Sequence, residues 1–276
     1  LRLPLLPTVV VRFLARRLAV VASGWGLVLL ALVGLAGYTH LGMTAAANPI
    51  RLGPGGVGAA LGLFFLTALW HELGHAAALA RYGYPPGGIG AGLLFVIPVL
   101  YADVTAVGVL PRAGRLRVDV AGVAFQFGLG GLLALVTGLG TAPGIAAWLA
   151  LLAVCWSLFP FVRADGYWIV CDLLGLQELE SDPDPAPGWG LGLFLRGYRL
   201  ANAVFLLGVG FVLPLRYLHR AEAVLAHFGV DEIRLAVLVP LVVAAGALLG
   251  VVWWNILRRV WRLIARLRTV STSRCN

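Results

Sequence analysis

The chain has 276 residues, of which 61% are hydrophobic and only 12% charged, and its mean hydropathy is +0.93. That composition excludes an ordinary soluble domain and describes an all-α polytopic membrane protein. The net charge of +9 comes from 21 basic residues, all arginine. They collect at the ends of apolar runs, as membrane topology demands, so no nucleic-acid partner is expected.

Arg2, Arg12, Arg16 and Arg17 precede an apolar run from about 18 to 38. Some 20 apolar residues suffice to cross a bilayer core, and the run is too long for the apolar part of a secretory signal, so a retained span with a cytoplasmic N-terminus is expected. His40 and Arg51 mark a short loop, in which His40 reads as a solvated residue. A second span, from about 57 to 81, carries Trp70-His71-Glu72-Leu73-Gly74-His75. On a helix, His-Glu-x-x-His sets two imidazoles one turn apart on one face with a carboxylate beside them. Neutral imidazole suits zinc, and a hydrolytic zinc centre uses three protein ligands so that water can take the fourth position. His71 and His75 are therefore candidate Zn2+ ligands, and Glu72 is the candidate base for the water. Chance placement competes weakly, because ionisable groups inside an apolar span are costly and mark function. The 14 residues from Val57 to Trp70 make about 21 Å of helix, which puts His71 roughly two-thirds of the way across the hydrocarbon core. Water would have to arrive through a protein-lined cavity.

The stretch Gly83-Tyr84-Pro85-Pro86-Gly87-Gly88 cannot continue a helix. The segment after it, 93–110, is rich in Val, Ile, Tyr and Phe, contains Pro98 and Gly108, and reads as a strand or re-entrant hairpin. An open strand edge there could pair with an extended peptide. Arg112, Arg115 and Arg117 then close the region on the cytoplasmic side, before a third span from about 118 to 139, in which Gly130, Ala134 and Gly138 form a small-residue stripe for close packing. A fourth span, about 145 to 162, ends in Phe159-Pro160-Phe161-Val162-Arg163-Ala164-Asp165-Gly166-Tyr167-Trp168. Pro160 and Gly166 break the helix around Asp165, and a lone acid at that depth is the natural third ligand. Asp103 is the competing acid, but it follows a strand-like run and is better placed to orient a histidine or the hairpin.

A short helix over 165–176 should follow, then a solvated acidic linker through Glu178, Glu180, Asp182 and Asp184. A fifth span (about 200–215), an outer loop with His219, His227, Asp231 and Glu232, a sixth span (about 235–257) and a basic tail (258–276) complete the chain. His227 and Asp231 lack further ligands and read as loop residues. The tail should lie along anionic headgroups. Cys155, Cys171 and Cys275 have no metal spacing and make no disulfide framework. The expectation is one membrane-embedded domain over 1–276 with about six spans.

Three blocks carry a resemblance to the site-2 protease family of intramembrane zinc metalloproteases, and within it to the bacterial "peptide zinc metalloprotease" branch. They are His71-Glu72-Leu73-Gly74-His75, Tyr101-Ala102-Asp103-Val104, and Pro160 through Asp165-Gly166-Tyr167-Trp168. The resemblance implies that His71, His75 and Asp165 bind zinc, that Glu72 is the general base, and that the second to fourth spans form the catalytic core, at about 57–176. It also implies that an extended peptide, a membrane-protein or leader segment, is cut near the cytosolic face of the bilayer. The chain departs from the family pattern at Ser157, where the family has asparagine, and at Ala164, where it has a larger apolar residue. The rival reading is a non-catalytic peptide-binding, export or immunity protein that keeps the zinc fold, against which the intact Glu72 speaks. A zinc transporter would need more polar residues along its spans than this chain has.

Six spans with both termini cytoplasmic put 17 arginines inside and four outside, at Arg51, Arg216, Arg220 and Arg234, as the positive-inside rule requires of a multi-pass cell-membrane protein. In intact cells an impermeant thiol reagent should therefore label Ala226→Cys and spare Pro185→Cys. The reverse pattern would overturn the six-span topology.

Overall fold

The computed structural model of the chain describes residues 2–45, 52–94, 97–179 and 189–207, and these are mostly helical with one small sheet. The chain divides into two compact units, one formed by Leu1–Leu93 with Pro98–Pro183 and the other by Leu94–Ile97 with Asp184–Asn276. The first unit holds helices α1 (Thr8–Leu18), α2 (Gly24–Thr44), α3 (Pro54–Arg81), α4 (Arg112–Leu135), α5 (Ala142–Ser157) and α6 (Asp165–Leu174). The second holds α7 (Trp189–Leu207). Three strands, β1 (Arg2–Leu6), β2 (Ile89–Leu94) and β3 (Ile97–Ala102), form a sheet in the order β1-β2-β3.

Among the described residues, α2, α3 and α4, with 21, 28 and 24 residues, are long and apolar enough to cross a membrane. Large side chains such as Leu29, Leu32 and Leu35 on α2 and Leu61, Phe65 and Leu66 on α3 point outward, as they would in helices whose surroundings are themselves apolar. α5, at 16 residues, is shorter than a bilayer core requires. α7 overlaps only the start of the expected fifth span. The remainder of that span, the acidic run from Glu180 to Asp184, the loop with His219, His227, Asp231 and Glu232, the sixth span, the basic tail and Cys275 lie outside the described residues.

Several boundaries differ from the sequence expectation for local reasons. The first span is found, but it starts later than expected, at Gly24. Ser23 caps a new helix by accepting a hydrogen bond from the Gly26 amide at 3.1 Å, so residues before it form the separate helix α1. α1 lays Val11 and Ala15 against Leu73 and Ala76 of α3 and against Ile89. His40 is not in a loop. It belongs to the last turns of α2, where its Nδ1 lies 2.9 Å from the carbonyl of Ala134. The third span starts earlier than expected, at Arg112, so Arg112, Arg115 and Arg117 ride on α4 itself. Gly138 falls beyond the end of that helix and does not extend the packing stripe.

The strand-like character of 93–110 is found, displaced toward the N-terminus. β2 begins at Ile89, and β3 is followed by a 3-10 turn, Thr105–Val109. β1 joins β2 antiparallel with Leu3 opposite Ala91 and a bulge between Pro4 and Leu6. Pro4 is tolerated because β1 is an edge strand.

α4 is the hub of the first unit and packs against α2, α3, α5 and α6. On one side Leu30, Gly34 and Gly37 of α2 meet Gly128, Phe127 and Gly131 of α4, so these two helices run in the same sense. On the other side His75 of α3 meets Val118, and Thr67 meets Gln126, so α3 runs opposite to α4. That alternation is what three successive membrane crossings require. A Cβ at Gly37 would fall 1.9 Å from the Gly131 carbonyl oxygen, whereas nothing lies within 4 Å of one at Gly42. Gly37→Ala should therefore lower the thermal unfolding midpoint in detergent, with an overpacking cost of about 1–3 kcal/mol. Gly42→Ala, which only improves helix propensity, should hold or raise it.

Candidate metal centre

His71 and His75 lie on consecutive turns of the half of α3 that is enclosed by its neighbours, and every residue from His71 to Leu79 is buried. Their rings meet edge to face with centroids 4.8 Å apart, and the two Nε2 atoms are 3.1 Å apart. The His75 Nδ1 lies 2.8 Å from the carbonyl oxygen of Val118 on α4. A carbonyl can only accept, so Nδ1 carries the proton and Nε2 presents its lone pair, the tautomer a metal ligand needs. The approach of α4 depends on Gly122, because a Cβ there would fall 2.3 Å from the His75 Nε2. Among the described residues, the buried His71 Nδ1 has no hydrogen-bond partner.

Asp165 is delivered by a different route. α5 ends at Ser157, the chain turns through Pro160, and α6 begins at Asp165. The start of α6 presses so closely on the end of α5 that a Cβ at Gly166 would fall 2.1 Å from the Leu158 carbonyl oxygen. Asp165 Oδ2 stands 3.0 Å from the His71 Nε2, and Oδ1 stands 3.3 Å from the His75 Nε2. Both carboxylate oxygens thus face imidazole nitrogens, and the place of Asp165 in the first turn of α6 favours a negative charge there.

The donor atoms of His71, His75 and Asp165 all lie within 4.8 Å of one another, and among the described residues these three form the group that could hold a metal ion. Two imidazole nitrogens and one carboxylate, buried and facing each other, are a donor set that zinc accepts. Glu72 is buried beside them with 8% of its surface exposed. Asp103 is not brought into the group. It is exposed at the end of β3, pairs through its backbone with Gly87 and Gly88, and accepts from the Thr105 amide and hydroxyl at 3.3 and 2.7 Å.

Four further polar contacts lie around the centre, none of them assigned from the sequence. Ser157 donates its hydroxyl to Asp165 Oδ2 at 2.5 Å. Arg115 holds Asp172 at 2.6 Å, and Arg112 donates to the carbonyl of Leu173, so α4 clamps the far end of α6. One turn along α3 from His71, the buried Thr67 hydroxyl lies 3.5 Å from the Gln126 amide. An amide inside an apolar run would have been the available signal for Gln126. Cys171 is buried as a small apolar residue, and Cys155 is exposed.

No family model matches the chain, and no solved structure matches it. It is similar to a protein of Bacillus subtilis (strain 168) named "Putative peptide zinc metalloprotease protein YydH", with 29% identity over 119 residues, or 42% of this chain. The similarity spans about half, 47%, of that protein's length.

The two acids are separable by experiment. Asp165→Ala should purify with little or no bound zinc, while Asp103→Ala, altered only at the hairpin end, should keep most of it. Zinc per purified protein decides, and full occupancy in Asp165→Ala with an empty Asp103→Ala would reverse the assignment.

Proposed function

We propose that the protein is a zinc-dependent endopeptidase of the site-2 protease type, which hydrolyses a peptide bond of a membrane-associated or leader-type peptide near the cytoplasmic face of the bilayer. The observation that carries this reading is the meeting of two imidazoles and a carboxylate from α3 and α6, with Glu72 buried beside them, on a helix long and apolar enough to cross a membrane. The similarity to a Bacillus subtilis protein whose name specifies a peptide zinc metalloprotease supports the same chemistry.

In this reading His71, His75 and Asp165 hold the ion. Bound zinc polarises a carbonyl and makes water acidic enough to lose a proton near neutral pH. The chain's own residues do the rest. Glu72 accepts the proton of the attacking water and returns it to the nitrogen of the leaving peptide. Val118 keeps the His75 imidazole in the tautomer that leaves Nε2 free. β3 lies at one edge of the sheet, where an extended substrate could add as a further strand.

The membrane is the second partner in this proposal. α1 exposes Val9, Phe13, Arg12, Arg16 and Arg17 on one face, with the Arg17 guanidinium 5.1 Å above the Phe13 ring. Such a mixture of apolar and basic groups suits the headgroup layer of an anionic leaflet. It is consistent with a cytoplasmic N-terminus in a six-span, multi-pass protein of the cell membrane.

Glu72→Gln keeps the shape of the side chain and removes its basicity. The variant should bind zinc like the wild type and lose peptide hydrolysis by ~10²–10⁴-fold. Cleavage at the wild-type rate by purified Glu72→Gln protein would refute the catalytic assignment and favour a non-catalytic peptide-binding or export role.

A further inference from the structure

We infer that Ser157 is a positioning residue for the Asp165 carboxylate, fixing the rotation in which that group faces both histidines and so tightening metal binding; the inference rests on the zinc-centre reading above. Ser157 is the last residue of α5 and Asp165 the first of α6, and the turn between them folds back so that the two side chains meet. The turn is well determined by its own hydrogen bonds. The Leu158 amide donates to Val154, that of Phe159 to Trp156, and that of Tyr167 to Ala164. Gly166 then lets the backbone of α6 close onto Leu158.

The contact itself is a hydroxyl donating to a carboxylate oxygen at 2.5 Å, at the short end of the range for charge-assisted O–H···O⁻ bonds, which are about twice as strong as neutral ones. It falls on Oδ2, the oxygen that also faces the His71 Nε2 at 3.0 Å, while Oδ1 faces His75 at 3.3 Å. A carboxylate turns freely about its last torsion unless something fixes it. Three contacts on two oxygens define its plane, and two of the three are to the candidate ligands. Ser157 supplies the one that comes from outside the candidate ligand set. It therefore holds the carboxylate ready before an ion arrives, as hydrogen bonds to ligating carboxylates do in metal sites generally.

Zinc affinity of the purified full chain, measured by competition with a chromophoric chelator, tests this without recourse to activity. Ser157→Ala should bind zinc ~10–100-fold more weakly. Ser157→Thr, which keeps the hydroxyl, should stay within a few-fold of wild type. Ser157→Val, which matches threonine in shape but has no hydroxyl, should weaken like alanine. Equal affinities for the threonine and valine variants would overturn the inference, because shape and not the hydroxyl would then be responsible. Wild-type affinity in Ser157→Ala, with peptide hydrolysis lost, would also overturn it and assign the hydroxyl to substrate. A wild-type chain that takes up no zinc would sink the zinc-centre reading itself, which distinguishes that failure from the failure of this inference.

Discussion

An ionised carboxylate inside an apolar helical bundle is the constraint on which the rest of this structure depends. Moving such a group out of water carries a penalty of several kcal/mol after relaxation, and it persists only where charge and hydrogen-bond partners offset the loss. Asp165 has partners on every side: the hydroxyl of Ser157, the N-terminal turn of α6, and the nitrogens of His71 and His75, with which it would share a bound cation. No single element could supply all of them. The partners come from α3 and α5, so the group can exist only if three helices are held within hydrogen-bonding distance of one another.

Small residues make that distance possible, and α4 distributes it. Gly74 on α3 presses against Ala121 and Phe125 of α4, Gly122 of α4 lies under the His75 ring, and Gly166 of α6 sits against α5. Each is a place where a methyl group would collide with backbone or with a ligand ring. Along one face of α4, Val118, Gly122 and Gln126 recur every four residues. They meet His75 and then Thr67 in the reverse order on α3. One antiparallel helix pair thereby orients a histidine, leaves room for its ring, and pairs a buried hydroxyl with a buried amide. The centre is thus a property of the α3–α4 register as much as of the His-Glu-x-x-His spacing.

What the sequence discloses and what it hides follow from the range of the interactions involved. The two histidines and Glu72 are legible because helical periodicity is local, so spacing alone puts them on adjoining turns. Asp165 is legible by elimination, as an acid stranded at a proline-broken helix end. The helix break before Gly24 rests on a Ser23 cap inside an otherwise unbroken apolar run, where hydropathy outweighs one hydroxyl in any reading of length. The pairing of β1 with β2 joins residues far apart in the chain, and nothing local in Arg2–Leu6 announces it. The contact of Ser157 with Asp165 is hidden for a related reason. Its importance lies in the direction the serine hydroxyl faces after a seven-residue turn, and direction is a tertiary quantity.

Such a centre also has to be held from outside. α6 is only ten residues long, too short to be stable on its own propensity, and it packs against α4. Its N-terminus carries Asp165. Its C-terminus ends on Gly175 in the left-handed conformation, and the preceding turn is tied down by Arg115 through the nearly buried Asp172. An unpaired carboxylate at Asp172 would be as costly as one at Asp165, so the ion pair fixes one end of α6 for the same physical reason that the imidazoles fix the other. A rigid ten-residue rod pinned at both ends leaves its first residue little freedom to move. The arginines that read in sequence as topological markers at the membrane edge therefore have a second role, since the guanidinium of Arg115 helps determine where the third metal-ligand candidate stands.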